Sequence, residues 1–409
     1  MFVTELVCVK CGRRYEMGQV EYTCEACGDD GILDVLYDYD RVKQVLNGRS
    51  LEADGNQSLW RYLPLLPLPD GARLPRLSVG CTPIYEAPTL ARELGVGRFF
   101  VKDDGRGPTA SFKDRASAVG TTRALALGRH EIAAASTGNA ATSLAGFAAD
   151  LGLAAKIFVP AAAPEAKVAQ LLIYGAKVFL VQGTYVDAWN LCQQAVAAFG
   201  WYNRSCAVNP FLVEGKKTGG LEIAEQMRRE LPDVVMVPVG DGCIISGITK
   251  GLREMQQLGV IDRVPRVIGV QAEGAAPIAA AFAAGGEALE PVEANTLADS
   301  IAVGTPRNWR KAIKGVKSTH GDFVTVSDPE IIEMLPRLAR ASGVFAEPTG
   351  VVAAAGIKRA RERGLIAARE SVLALATGNG LKDVKGAMRA VTLPEPVAPS
   401  LDAVRRSLR

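Results

Sequence analysis

A series of short, unbroken apolar runs constrains this chain more than any other feature. "RFFVKDDG" (98–105), "EIAAAST" (131–137), "AKIFVP" (155–160), "KVFLVQG" (177–183), "DVVMVPVG" (233–240), "RVIGVQAEG" (266–274) and "SVLALATGNG" (371–380) all have strand length and end in small or polar residues. Segments with helical apolar spacing lie between them, such as "TYVDAWNLCQQAVAAFG" and "SGITKGLREMQQLG". A strand that is apolar throughout needs cover on both faces, and alternation with helices supplies it in parallel sheets. The expected fold class is α/β, with two sheet-bearing domains and a cleft between them. Ligands of open α/β sheets bind beyond the carboxyl ends of the strands. The loops after these runs are therefore where chemistry is expected.

Four loops qualify. "GPTASFKDRAS" (107–117) carries Lys113 between Phe112 and the pair Asp114–Arg115. "STGNAA" (136–141) turns a strand into a helix, and its free N–H groups favour an anion such as a carboxylate. Ser136, Thr137 and Asn139 add side-chain hydrogen-bonding groups there. "VGDGCIISG" (239–247) again joins a strand to a helix, with Gly240 and Gly242 allowing close approach to a phosphate. "ATGNGLKD" (376–383) places Thr377 at a strand end. Each loop alone is most often a turn, and Lys113 alone is most often a salt-bridged surface lysine. Their joint occurrence points instead to a buried amine with a chemical task.

Composition narrows the class. The 409 residues are 48% hydrophobic and 22% charged, which is ordinary for a soluble globular protein. The net charge is only +3 and no basic block stands out, so nucleic acid is not an expected partner. No run reaches the ~20 apolar residues of a membrane helix, and "MFVTELVC" lacks a secretory pattern. A soluble cytoplasmic protein without a membrane partner is expected. Four of the eight cysteines form two C-x-x-C pairs, Cys8/Cys11 and Cys24/Cys27, each followed by a glycine. This spacing suits a tetrahedral structural Zn²⁺, with no ligand position left for substrate. Free thiols or a disulfide are the plainer alternatives.

"PTASFKDR" resembles the P-T-G-S-F-K-D-R segment of threonine synthases, members of the fold-type II (tryptophan synthase β-like) pyridoxal-phosphate enzymes. The resemblance extends over nearly the whole chain, including "STGNAATSLAGFAA", "VNPFLVEGKKTGGLEI", "TLADSIAVGTPRNW", "GVFAEPTGVVAAAG" and "TGNGLKD". It implies a zinc-ribbon-like segment over 1–35, a larger cofactor-binding α/β domain from 36–115 and 210–409, and a smaller α/β domain over 116–209. Lys113 would form the Schiff base with pyridoxal 5′-phosphate and serve as the acid–base group. Asn139 would bond the cofactor's 3′-oxygen. Gly240, Asp241, Gly242, Cys243 and Ile244 would bind its phosphate, and Thr377 would face its pyridine nitrogen. Ser136 and Thr137 would hold the carboxylate of a small amino-acid substrate. A homodimer is expected by the same analogy. The implied reaction converts O-phosphohomoserine and water to threonine and phosphate. Physical chemistry agrees: burial beside an aromatic ring disfavours an ammonium and so activates an amine.

The chain departs from the family where substrate phosphate is bound. N-S-x-N-P-[YF]-R is here Cys206-Ala207-Val208-Asn209-Pro210-Phe211-Leu212. Ala140 replaces a threonine, Asn379 a histidine, and Ala110 a glycine. Losing an arginine forfeits a charge-assisted contact of about 1.5–3 kcal/mol, for which Lys216, Lys217 or Arg115 could compensate. β-Elimination or β-replacement on an unphosphorylated or differently activated amino acid is therefore a second expectation. A non-catalytic binding protein is a third, opposed by the intact Lys113, Asn139, glycine loop and Thr377.

Overall fold

The computed structural model describes residues 1–163 and 165–408. Its strands, in chain order, are β1 (Val3–Cys8), β2 (Arg14–Tyr15), β3 (Leu33–Tyr37), β4 (Ile84–Glu86), β5 (Arg98–Asp103), β6 (Glu131–Ala135) and β7 (Ala154–Pro160). They continue as β8 (Lys177–Val181), β9 (Tyr202–Asn203), β10 (Val234–Pro238), β11 (Arg266–Ala272), β12 (Asp322–Val326) and β13 (Ser371–Ala376). The apolar runs read from the sequence correspond to β5, β6, β7, β8, β10, β11 and β13.

These strands form a six-stranded sheet, β12-β11-β10-β13-β5-β4, and a four-stranded sheet, β8-β7-β6-β9. Pairing is parallel throughout except at β4, which runs antiparallel to β5 on the edge. Only the short helix Pro88–Leu94 separates those two strands, so the chain reverses there without the long crossover a parallel pair needs.

Strand β10 shows how an apolar run is used. Val235 and Val237 pack with Leu221, Ile248 and Leu252 on one face. Val234 and Met236 pack with Val351 and Val352 on the other. The first layer comes from helices Pro210–Gln226 and Cys243–Gln257, the second from helix Pro348–Glu362. Full burial of each such side chain stabilises the fold by roughly 1.5–3 kcal/mol.

The N-terminal segment is an antiparallel sheet, β2-β1-β3. It does not stand alone. Leu6, Leu33 and Val35 join the same core as Val235 and Ile248. A buried polar network fastens it further. Tyr37 donates to Glu214 at 2.8 Å, Lys250 reaches both Asp34 at 3.0 Å and Glu214 at 2.8 Å, and Lys311 reaches Asp34 at 3.0 Å. Among the described residues no helix is long and apolar enough to cross a membrane.

Candidate active site

The loops at the carboxyl ends of the strands meet at one cavity of about 630 Å³ between the two sheets. Lys113 is the first residue of helix Lys113–Ala126 and lines it. The turn before it is held by backbone: Phe112 N–H donates to Thr377 O at 2.8 Å, and Asn379 N–H to Ala110 O at 3.0 Å. Ala110 sits at φ +64°. That left-handed conformation costs a non-glycine residue roughly 1–2 kcal/mol and explains why glycine is usual at this position.

Both charges beside Lys113 are spent elsewhere. Asp114 accepts from Thr109 N–H at 2.8 Å, and Arg115 pairs with Asp104 at 2.6 Å and Glu222 at 2.8 Å. Lys113 thus has no carboxylate partner among the described residues. Burial, with repulsion from Lys216, pushes its ammonium down to about 8, against a smaller opposing attraction from Glu347.

The second loop brings Ser136, Thr137, Asn139 and Ala140 to the cavity wall. Asn139 begins helix Asn139–Leu151 and donates through Nδ2 to Glu347 Oε1 at 2.9 Å. Sequence reasoning gave Glu347 no role. It is buried, and burial raises its carboxyl to about 7, with Lys113 and Lys382 acting in the opposite direction. Its only local signal is a glutamate ahead of a helix-starting proline. A smaller cavity of about 290 Å³, lined by Glu347 and Lys382, shares Thr137 and Asn139 with the first.

The third loop, 240–244, also lines the cavity. Helix Cys243–Gln257 starts within it, so unpaired N–H groups face out from its first turn. Gly242 has φ +88°. The glycines also have a packing reason that the sequence did not show. A Cβ on Gly240 would lie 2.9 Å from Ile301 Cα, and one on Gly242 would lie 3.0 Å from Asn308 O. Asp241 turns to that same segment, accepting from Arg307 N–H at 2.8 Å and from the Cys243 thiol at 3.4 Å. Burial raises its carboxyl and disfavours a negative charge in the loop.

Thr377 is the one cavity residue expected from sequence that does not line the wall. Its hydroxyl is buried just past the end of β13 and has no hydrogen-bond partner among the described residues. Leu212 is absent from the wall too, since it packs on Gly120, whereas Cys206, Ala207 and Ala140 are part of it. Arg204 and Lys216 also line the cavity. Arg204 escaped the sequence reading because no motif marks it.

The residues fit pyridoxal phosphate on the structure's own terms. A desolvated amine and a cradle of helix-start N–H groups line one cavity, and the orphaned buried hydroxyl of Thr377 lies behind the turn that carries the amine. Apart from this, Cys8, Cys11, Cys24 and Cys27 place their sulfur atoms within 4.8 Å of one another. N–H groups of Lys10 and Cys11 point at Cys8, and those of Ala26 and Cys27 at Cys24. This is the donor set and size of a tetrahedral metal site.

Comparison with known proteins follows the same lines. The pattern of the family described as pyridoxal-phosphate dependent enzymes matches residues 75–378. The chain is 38% identical over 404 residues to the threonine synthase of Methanocaldococcus jannaschii, covering 98% of each chain. It is 37% identical over 406 residues to the threonine synthase of Methanosarcina acetivorans, again covering 98% of each. Among solved structures, the diaminopropionate ammonia lyase of Escherichia coli shares the fold, with a TM-score of 0.65 at 20% identity, covering 79% of this chain and 88% of that one.

Proposed function

Because this chain belongs to the pyridoxal-phosphate-dependent enzyme family and is threonine synthase-like within it, we propose that it converts O-phosphohomoserine and water to threonine and phosphate. The observation that carries this reading is the convergence of Lys113 and the 136–140 and 240–244 loops on one cavity. Bound there, the cofactor supplies an electron sink for negative charge developing on the amino acid's α-carbon. The chain's own residues do the rest. N–H groups of the 240–244 loop and of the helix behind it hold the cofactor's phosphate. Asn139 would bond the 3′-oxygen, and the unpartnered Thr377 hydroxyl would serve the pyridine nitrogen. A hydroxyl there, in place of a carboxylate, would favour a less protonated nitrogen, and with it elimination and replacement over transamination.

Lys113 is the covalent anchor. Its Nζ would also be the group placed to take the proton from Cα and to return protons later in the reaction. An amine with its pKa near 8 exchanges protons in both directions near neutrality. Ser136, Thr137 and the helix-start N–H groups beside them fix the substrate carboxylate. Glu347, held by Asn139 and lining the adjoining smaller cavity, would be a second proton-holding group beside the site. The four cysteines hold a structural Zn²⁺ remote from this chemistry.

The test is a substrate panel with the purified holoenzyme. Release of phosphate with threonine from O-phosphohomoserine is the expected result. Keto acid from serine or threonine without phosphate release would select elimination, which the apolar Ala140 and Ala207 in the wall favour. Lys113→Ala is expected to abolish both turnover and the cofactor's anchored visible absorption. An unchanged spectrum would remove Lys113 from its role.

A further inference from the structure

Three cations were candidates to replace the missing phosphate-binding arginine, and the structure separates them. Arg115 is consumed by Asp104 and Glu222. Lys217 is consumed by Glu214 at 2.6 Å and Glu254 at 2.9 Å, beneath the Tyr37 ring. Lys216, one residue earlier on helix Pro210–Gln226, points the other way and lines the cavity. It is only 3% exposed and has no carboxylate partner among the described residues.

A second buried cation stands beside it. Arg204 follows β9 and is also 3% exposed. Its Nη2 donates to Ser117 Oγ at 3.0 Å, and its Nη1 lies 3.8 Å from Cys206 Sγ. Its Nε–H is buried with no hydrogen-bond partner among the described residues. The Cys206 thiol lies against both cations, and they push its pKa down although burial acts the other way. The two carboxyls in the wall are engaged elsewhere: Asp241 with Arg307 N–H and the Cys243 thiol, and Asp299 with Lys167 at 2.6 Å.

Two desolvated cations in one cavity, with no carboxylate bonded to either among the described residues and a thiol between them, have capacity for an anion. We infer that Arg204 and Lys216 form a subsite for the phosphate monoester on the side chain of the amino-acid substrate. The inference rests on the proposed reading of the cavity as an amino-acid site. It makes the two residues determinants of specificity for phosphorylated over hydroxylated amino acids. Leu212 has no part in it, since that position faces Gly120 in the helix packing.

The cofactor's own phosphate is the other anion these cations could serve, and the experiment separates the two. Wild-type holoenzyme, Lys216→Gln, Lys216→Arg and Arg204→Gln are each titrated with inorganic phosphate by calorimetry. Each is also assayed for cofactor content, thermal unfolding, and KM and kcat with O-phosphohomoserine. Loss of one charge-assisted contact predicts phosphate affinity lower, and KM higher, by about 10- to 100-fold in the Gln variants. Cofactor content is retained, kcat falls less than kcat/KM, and Lys216→Arg recovers much of the affinity.

Wild-type phosphate affinity and KM in both Gln variants overturn the proposal. So does loss of cofactor with phosphate affinity unchanged, which assigns the cations to the cofactor. If wild-type enzyme turns over no O-phosphohomoserine yet binds phosphate in a Lys216-dependent way, the proposed reaction fails. The subsite then stands, for a different phosphorylated amino acid.

Discussion

At the scale of single residues, the activity of this site depends on how far Lys113 is displaced from ordinary lysine behaviour. An ammonium at about 8 leaves roughly a quarter of the amine neutral at pH 7.5, against roughly one part in a thousand for an unperturbed lysine. Only the neutral amine captures the cofactor's aldehyde. Mixing apoprotein with pyridoxal phosphate across pH should therefore give a capture rate that rises through pH 8 and levels off near pH 9. A rate still climbing steeply at pH 10 would contradict the environment described for Lys113. Lys113, Asn139 and the glycine loop were legible in the sequence because each is a local pattern. Arg204 and Glu347 were not identified as site residues, and Lys216 could not be told from Lys217 or Arg115, because each acquires its meaning from a distant partner. Glu347 meets Asn139, Arg204 meets Ser117, and the orientation of Lys216 is fixed only when Lys217 commits to Glu214 and Glu254.

At the scale of elements, the site is held by helices that touch backbone to backbone. Helices Pro210–Gln226 and Cys243–Gln257 approach so closely that a Cβ on Gly251 would lie 2.3 Å from Lys217 O, and one on Gly220 would lie 2.4 Å from Ile248 O. Backbone oxygens cannot move aside as a flexible side chain can. Gly251→Ala is expected to destabilise the protein by about 1–3 kcal/mol or more. It should also weaken cofactor retention, because the same helix starts at the 240–244 loop. Thermal unfolding and the visible spectrum of the variant check both. Apolar runs made the buried strands readable, whereas the three-residue edge strand β4 and the two-residue β9 carry too little pattern to be seen. The glycines in these helices give no local sign of their purpose, because the backbone they admit comes from another part of the chain.

At the scale of the whole molecule, the N-terminal ribbon is a packed part of the catalytic body. Its sequence spacing revealed the four-cysteine cluster, but not that Asp34 and Tyr37 would reach Lys250, Lys311 and Glu214. Lys250 lies on the helix whose first turn faces the cavity. Removing zinc with a chelator, or Cys24→Ser, is therefore expected to lower the melting temperature and the cofactor content together. Stable cofactor binding after complete metal removal would uncouple the two. The path of the chain has a further consequence. It passes between the large and small sheets only at 104–130 and at 204–233. Lys113 lies on the first passage, and Arg204, Cys206 and Lys216 lie on the second. Any opening or closing of the cleft must be taken up by backbone rotations in these two hinge strips. The amine and the cations lie within these strips, while Ser136, Thr137 and Asn139 follow β6 of the small sheet. On the proposed reading of the cavity, such a motion would carry the carboxylate site relative to the phosphate site, which lies in the hinge strips.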